Sequence, residues 1–122
     1  MKKILITGGL GFIGVHSIDR WYREGWEIYI VDNLSSNAIP PTHEIAERAT
    51  VILKDILDVR WEELPKFDLI LHLASPVGPV GVLKHSGEIA KLIMDDIYWA
   101  IDGARHNDCP LLFISTSEVY GY

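Results

Sequence analysis

Apolar residues fall along the chain in short runs bounded by turn formers: Ile4 to Ile6, Ile28 to Val31, Val51 to Leu53, Leu69 to Leu73 and Leu111 to Ile114. Continuous runs of this length, without polar alternation, predict strands buried on both faces, the habit of parallel sheets. Between them the spacing becomes helical. Residues 12 to 24 carry Phe12, Ile13, Ile18, Trp21 and Tyr22 at helical intervals and stop at Gly25, a natural residue for the left-handed position after a helix. Residues 88 to 106 set Ile89, Leu92, Ile93, Ile97, Ala100, Ile101 and Ala104 on one face, which predicts an amphipathic helix. Met94, Tyr98 and Trp99 lie off that stripe and form a second apolar surface, suited either to a helix partner or to covering a loop.

Strands alternating with crossover connections predict right-handed βαβ units, and so an α/β fold with a doubly wound parallel sheet. About five strands are expected, in the order 3-2-1-4-5. Residues 33 to 48, with Ser35, Ser36, Asn37 and the pair Pro40-Pro41, read as a loop leading into a short helix near Glu44 to Arg48. Residues 75 to 87 read as a second loop. Neither has the composition of a domain linker, and no internal repeat or low-complexity tract appears. A chain of 122 residues buries roughly two thirds of the surface it exposes when unfolded, enough for one core. Residues 1–122 are therefore expected to form a single domain.

Charge narrows the range of partners. Eleven Lys and Arg against 17 Asp and Glu give a net charge of −6, a field that repels phosphate backbones and anionic membranes. No nucleic acid and no membrane partner is expected. A small phosphate-bearing ligand is still allowed, because backbone N–H groups at a helix N-terminus hold phosphate without any Lys or Arg. Cys109 is the single cysteine, so no internal disulfide and no thiolate metal cluster is expected, which suits a reducing, cytoplasmic setting. The apolar run after Met1-Lys2-Lys3 is too short for a signal peptide, and no later stretch approaches a membrane span.

The strongest chemical signal is Thr7-Gly8-Gly9-Leu10-Gly11-Phe12-Ile13-Gly14, directly after the first strand and opening the first helix. Gly8, Gly11 and Gly14 give the spacing GxxGxxG, in which the glycines serve a sharp reversal, a close approach to pyrophosphate and tight helix packing. The alternative is a merely tight strand-to-helix turn. Asp32 ends the second strand close to the position where a ribose-binding acid belongs, about 20 residues beyond the glycines. Its carboxylate accepts hydrogen bonds from ribose hydroxyls and would repel a 2′-phosphate, and the loop Asn33 to Asn37 holds no Lys or Arg. NAD is therefore the expected cofactor, over NADP. Asp32 also fits a turn cap together with Asn33.

These segments, with Lys54-Asp55-Ile56, His72-Leu73-Ala74-Ser75-Pro76 and Ser115-Thr116-Ser117-Glu118-Val119-Tyr120-Gly121, resemble the extended short-chain dehydrogenase/reductase superfamily. Those are the NAD-dependent nucleotide-sugar epimerases, dehydratases and decarboxylases, and the last two segments look most like the UDP-glucuronate decarboxylases. The resemblance covers the whole chain and implies a Rossmann-like fold. It implies that Gly8, Gly11, Phe12, Ile13, Gly14, Asp32 and Asn33 hold the dinucleotide, that Asp55 and Ile56 lie by the adenine, and that Ala74 and Ser75 flank the phosphates and the nicotinamide ribose. It further implies that Thr116 hydrogen-bonds the sugar hydroxyl being oxidised and that Glu118 is the acid used by the decarboxylases. From the residues alone, Asp55 also reads as a solvated acid before a turn, the serines around Thr116 as a cap or turn, and His72 as a core histidine with a hydrogen-bonded ring.

Two departures stand out. The resembling enzymes carry a Tyr-x-x-x-Lys pair a few tens of residues beyond the Glu-Val-Tyr-Gly segment, and no Tyr-x-x-x-Lys occurs in these 122 residues. The long helix also lacks the family's asparagine and Gly-Thr: Met94-Asp95-Asp96-Ile97-Tyr98-Trp99 stands there instead. The chain is therefore expected to be the first, truncated part of a larger enzyme, binding dinucleotide but inactive alone and meeting a nucleotide sugar only in a longer form. The alternative is a non-catalytic nucleotide-binding or assembly module. Self-association is expected through the long helix or the edge of strand 5, since an uncovered edge invites pairing.

Overall fold

A computed structural model describes residues 1–74, 87–115 and 120–121. In chain order its elements are β1 (Lys3–Thr7), α1 (Phe12–Arg23), β2 (Glu27–Asp32), β3 (Ala49–Leu53), β4 (Leu69–His72), α2 (Ile89–Asn107) and β5 (Leu111–Phe113). The strands form one parallel sheet in the order β3-β2-β1-β4-β5, as the pattern of runs predicts. In register, Thr7 lies between Val31 and His72, and Asp32 beside Leu53. The carboxyl ends of four strands are thereby level. The chain turns from one side of the sheet to the other between β3 and β4, leaving β1 at the centre, where a crevice opens.

Alternation along the strands feeds two cores. On one face Ile4, Ile6, Ile28, Ile30 and Leu71 pack with Ile18 of α1 and Ala46. On the other, Leu5, Val31 and Ile70 pack with Ile56, Val59, Trp61 and Phe67, backed by Trp99 and Ala104 of α2. Burial on both faces holds for β1, β2 and β4. It does not hold for the two edge strands, where β3 is only partly covered and Leu112 and Phe113 of β5 stand in solvent.

The helices are positioned less by their own apolar stripes than the spacing predicts. Within α1 only Gly14 and Ile18 are buried, while Phe12, Ile13 and Tyr22 are exposed, so its first turn faces away from the core. Gly25, with φ of +83°, ends the helix as expected. Residues 33 to 48 do form a loop, closed by a 3-10 turn at Glu44–Arg48 that is pinned to α1: Arg48 Nη1 donates to Asp19 Oδ1 at 2.5 Å.

The connection from β3 to β4 carries no long helix. It is two 3-10 turns, Ile56–Asp58 and Trp61–Glu63, which bring Trp61 under α2. There the rings of Trp61 and Trp99 stack with centroids 4.3 Å apart. Trp61 Nε1 donates to Trp99 O at 3.0 Å, and Trp99 Nε1 donates to Val59 O at 2.9 Å. Trp99 is thus internal packing and covers a loop, and it is no part of a free helix face. Met94 and Tyr98 remain exposed. Among the described residues, no helix is long and apolar enough to cross a membrane.

Candidate functional site

The level strand ends build a cavity of about 570 Å³. Its floor is the turn between β1 and α1. Gly8 adopts φ of +65°, and a Cβ there would stand 3.0 Å from Ala74 Cα, so only glycine lets the ends of β1 and β4 come together. At Gly14 a Cβ would lie 2.6 Å from Gly9 Cα, driving α1 off the turn that it caps. Gly9, to which the sequence assigned no task, sits on the Ile30 side chain in the core. The turn is closed by Gly8 N donating to Val31 O at 2.8 Å and Gly11 N to Gly8 O at 3.0 Å.

The N-terminus of α1 opens into this cavity. Gly11 is the N-cap and supplies no side-chain cap, and the first helical bond is Val15 N to Gly11 O. The amides of Phe12, Ile13 and Gly14 therefore have no intrahelical acceptor. They form an array of donors at the positive end of the helix dipole, with no acidic residue in the first turn to satisfy it. Phe12 and Ile13, exposed to solvent, form an apolar flank of the same opening.

Asp32 forms the second wall. Its Oδ2 accepts from Leu10 N at 3.1 Å and its Oδ1 from Leu34 N at 2.7 Å, so the buried carboxylate ties the end of β2 to the glycine turn. Leu10 is a clamp that the glycine spacing does not reveal: buried, it also accepts from Ala38 N at 2.7 Å and draws the 33–48 loop over the cavity. The turn-cap reading of Asp32 is thus correct and does not compete with ligand binding. A carboxylate offers about four lone-pair sites, and two remain. Asn33 continues the turn, its Oδ1 accepting from Ser35 N at 3.0 Å.

The third wall is the segment after β3. Asp55 caps the turn that follows it, and Ile56 is buried beneath. Lys54 also reaches the cavity, so one cation arrives from β3 although the loop after Asp32 has none. From α2 come Leu92, which the spacing put on the core-facing stripe, and Asp96, and the sequence assigned neither to the site. The Asp96 carboxyl is pushed up to about 6, first by burial and then by the neighbouring charges of Asp55 and Asp95.

At the end of β4 a buried polar knot fixes Ala74. Thr7 Oγ1 accepts from Leu73 N and Ala74 N, both at 3.0 Å, and lies 2.8 Å from His72 Nδ1. With both lone pairs used, the Thr7 hydroxyl proton goes to Nδ1, so His72 is neutral and carries its proton on Nε2. Burial holds His72 down to about 4. It is the hydrogen-bonded core histidine that its setting suggests.

Gly8, Gly11, Phe12, Ile13 and Gly14 all line this one cavity, and so do Asp32, Asn33, Asp55, Ile56 and Ala74. Ser75, Thr116 and Glu118 lie outside the described residues. A parallel sheet in this order, with a glycine turn feeding a helix N-terminus and an acid at the end of β2, defines a Rossmann-like dinucleotide-binding fold. The chain belongs to the NAD dependent epimerase/dehydratase family, whose model matches residues 4–122. It is 32% identical to the UDP-N-acetyl-alpha-D-glucosaminuronate decarboxylase of Bacillus cytotoxicus, with 98% of this chain and 38% of that protein covered. It is 34% identical to the UDP-glucuronic acid decarboxylase 1 of Danio rerio over 98% of this chain and 28% of that protein. The solved UDP-N-acetylglucosamine 4-epimerase of Methanobrevibacter ruminantium M1 superposes with a TM-score of 0.80 at 31% identity, covering 98% of this chain and 39% of that one. The chain thus spans 28% to 39% of the length of these relatives. They include both decarboxylases and an epimerase, so similarity alone does not choose between the two.

Proposed function

We propose that residues 1–122 form a single NAD-binding unit of a nucleotide-sugar epimerase, dehydratase or decarboxylase. The observation that carries this is the convergence of the glycine turn, the uncapped N-terminus of α1 and Asp32 on one cavity. The pyrophosphate rests on the amides of Phe12, Ile13 and Gly14, and the adenosine ribose donates to the open lone pairs of Asp32. Adenine lies by Asp55 and Ile56. Ala74 and Ser75 would flank the phosphates and the nicotinamide ribose. When bound, the cofactor supplies reversible hydride transfer.

Thr116 and Glu118 are the residues that would meet the sugar, on the strength of the segment Ser115 to Gly121. No Tyr-x-x-x-Lys pair occurs in these residues to take the sugar hydroxyl proton, so the chain binds dinucleotide without turnover. A nucleotide sugar is bound in a longer form. A reducing cytoplasm suits the lone Cys109. Self-association is supported by the exposed Leu112, Phe113 and Ile114 at the β5 edge and by Met94 and Tyr98 on α2.

Calorimetric titration with NAD tests the reading. Saturable binding is expected, and Gly11→Ala should weaken it by about tenfold, or 1.4 kcal/mol. Among the described residues a Cβ at Gly11 meets only Gly8 O, at 3.2 Å, so a shift of a few tenths of an ångström accommodates this variant while the floor narrows. Undiminished binding by the variant, or none by the parent, would overturn the assignment.

A further inference from the structure

Asp96 is the one acid that α2 contributes to the cavity, and it stands close enough to Asp55 for that charge to perturb it. Among the described residues no hydrogen bond or ion pair occupies its carboxylate, whereas Asp95 beside it is paired with Lys91 and Asp55 is engaged with Leu57 N. Two acids thus approach one cavity from opposite elements, and among the described residues one of them has no partner. Bringing Asp96 toward a second carboxylate is unfavourable. A ligand that supplies hydrogen-bond donors between the two acids removes that penalty.

We propose that Asp96 sets the base preference of the cavity, accepting, together with Asp55, from the exocyclic amine of a purine and turning away a base with a carbonyl oxygen at that position. The inference rests on the reading of the cavity as a dinucleotide site, with the base by Asp55. An ionised carboxylate only accepts hydrogen bonds, so it matches the two N–H groups of adenine's amine. The same oxygens face the lone pairs of a carbonyl and repel it. Protonated, the carboxyl also donates, and the distinction weakens. The charged groups around Asp96 are Asp55 after β3, Asp95 on its own helix, and Lys54 and Asp32 across the cavity.

The test compares NAD with nicotinamide hypoxanthine dinucleotide, which carries a carbonyl oxygen in place of the amine. Binding of both is measured by calorimetry to the parent and to Asp96→Asn, whose carboxamide both donates and accepts. At about pH 7.5 the parent should prefer NAD, and Asp96→Asn should lower that preference by about fivefold, within the range of one hydrogen-bonded base contact. The preference of the parent should itself fall toward that of the variant at about pH 5, where Asp96 takes up its proton. Equal preference in parent and variant, or a preference unchanged by pH in the parent, overturns the role of Asp96 while leaving the dinucleotide site standing. If the parent binds neither dinucleotide, the reading of the cavity fails first.

Discussion

Replacing Thr7 by valine tests the polar knot beneath the cavity. The swap keeps the shape of a fully buried side chain and removes only the hydroxyl. Three groups lose a partner. Leu73 N keeps a second acceptor, Thr7 O at 3.2 Å, but Ala74 N and His72 Nδ1 keep none among the described residues. An orphaned buried polar group costs about 1–3 kcal/mol. Ala74 is only partly buried, so water recovers some of its loss, and the two together should cost about 2–3 kcal/mol.

Thr7→Ser is the control, since it keeps the hydroxyl and deletes one methyl for about 1 kcal/mol. Strand propensity favours valine over serine, so any excess cost of valine must come from the hydroxyl. Denaturant melts at constant m-value give the comparison. A Thr7→Val protein as stable as Thr7→Ser would refute the knot. The same network makes a pH prediction. His72 is held down to about 4 by burial, against about 6.5 in an unfolded chain. Above 6.5 both states are neutral there and stability is full. As pH falls from 6.5 toward 4 the unfolded state takes up a proton that the native state refuses, and up to about 3 kcal/mol is lost. An NMR titration placing His72 near its ordinary value would contradict the lowering of its pKa by burial.

Two further outcomes follow from packing and from the backbone. A Cβ on Gly103 would enter the Trp61 indole, so Gly103→Ala must push apart the Trp61–Trp99 stack and should destabilise by about 3 kcal/mol, read from denaturation; a variant as stable as the parent would refute that account. Asp108 holds φ of +50° just past α2 and puts a negative charge at the helix C-terminus, so Asp108→Gly should stabilise by about 1 kcal/mol in a thermal melt, and a loss would show that its left-handed backbone is not strained.

The topology was legible because a parallel sheet writes itself as unbroken apolar runs, and every run became a strand. Helix faces were less legible. The α1 positions Phe12 and Ile13 look like core by spacing, yet they sit where the helix leaves the sheet to face the cavity, and an apolar wall for a ligand carries the same residue types as a core. Trp99 misleads in the opposite direction. Its partner Trp61 lies on a connection made of 3-10 turns too short to have a period, so nothing in the sequence pairs the two rings.

At the site, what could be read was whatever the backbone demands. Gly8 and Gly14 are glycine because neighbouring main chain fills the place of a side chain, a local constraint that leaves a fixed spacing. Asp32 follows because the end of β2 must meet that turn, and its two bonds to Leu10 and Leu34 show that the acid builds the floor as well as offering acceptors. Asp96 and Lys54 depend instead on where α2 and β3 stop relative to β1, a distance set by packing of Trp61 and Ile56 rather than by any local rule. The positions that hold the common scaffold of a dinucleotide are thus written in short-range spacing. Those that would distinguish one base or one ligand from another enter from separate elements, so three-dimensional packing is needed to bring Asp55 and Asp96 to the same cavity. That division explains why the class of ligand is readable from the glycine turn with Asp32, while the meeting of Asp55 with Asp96 is not.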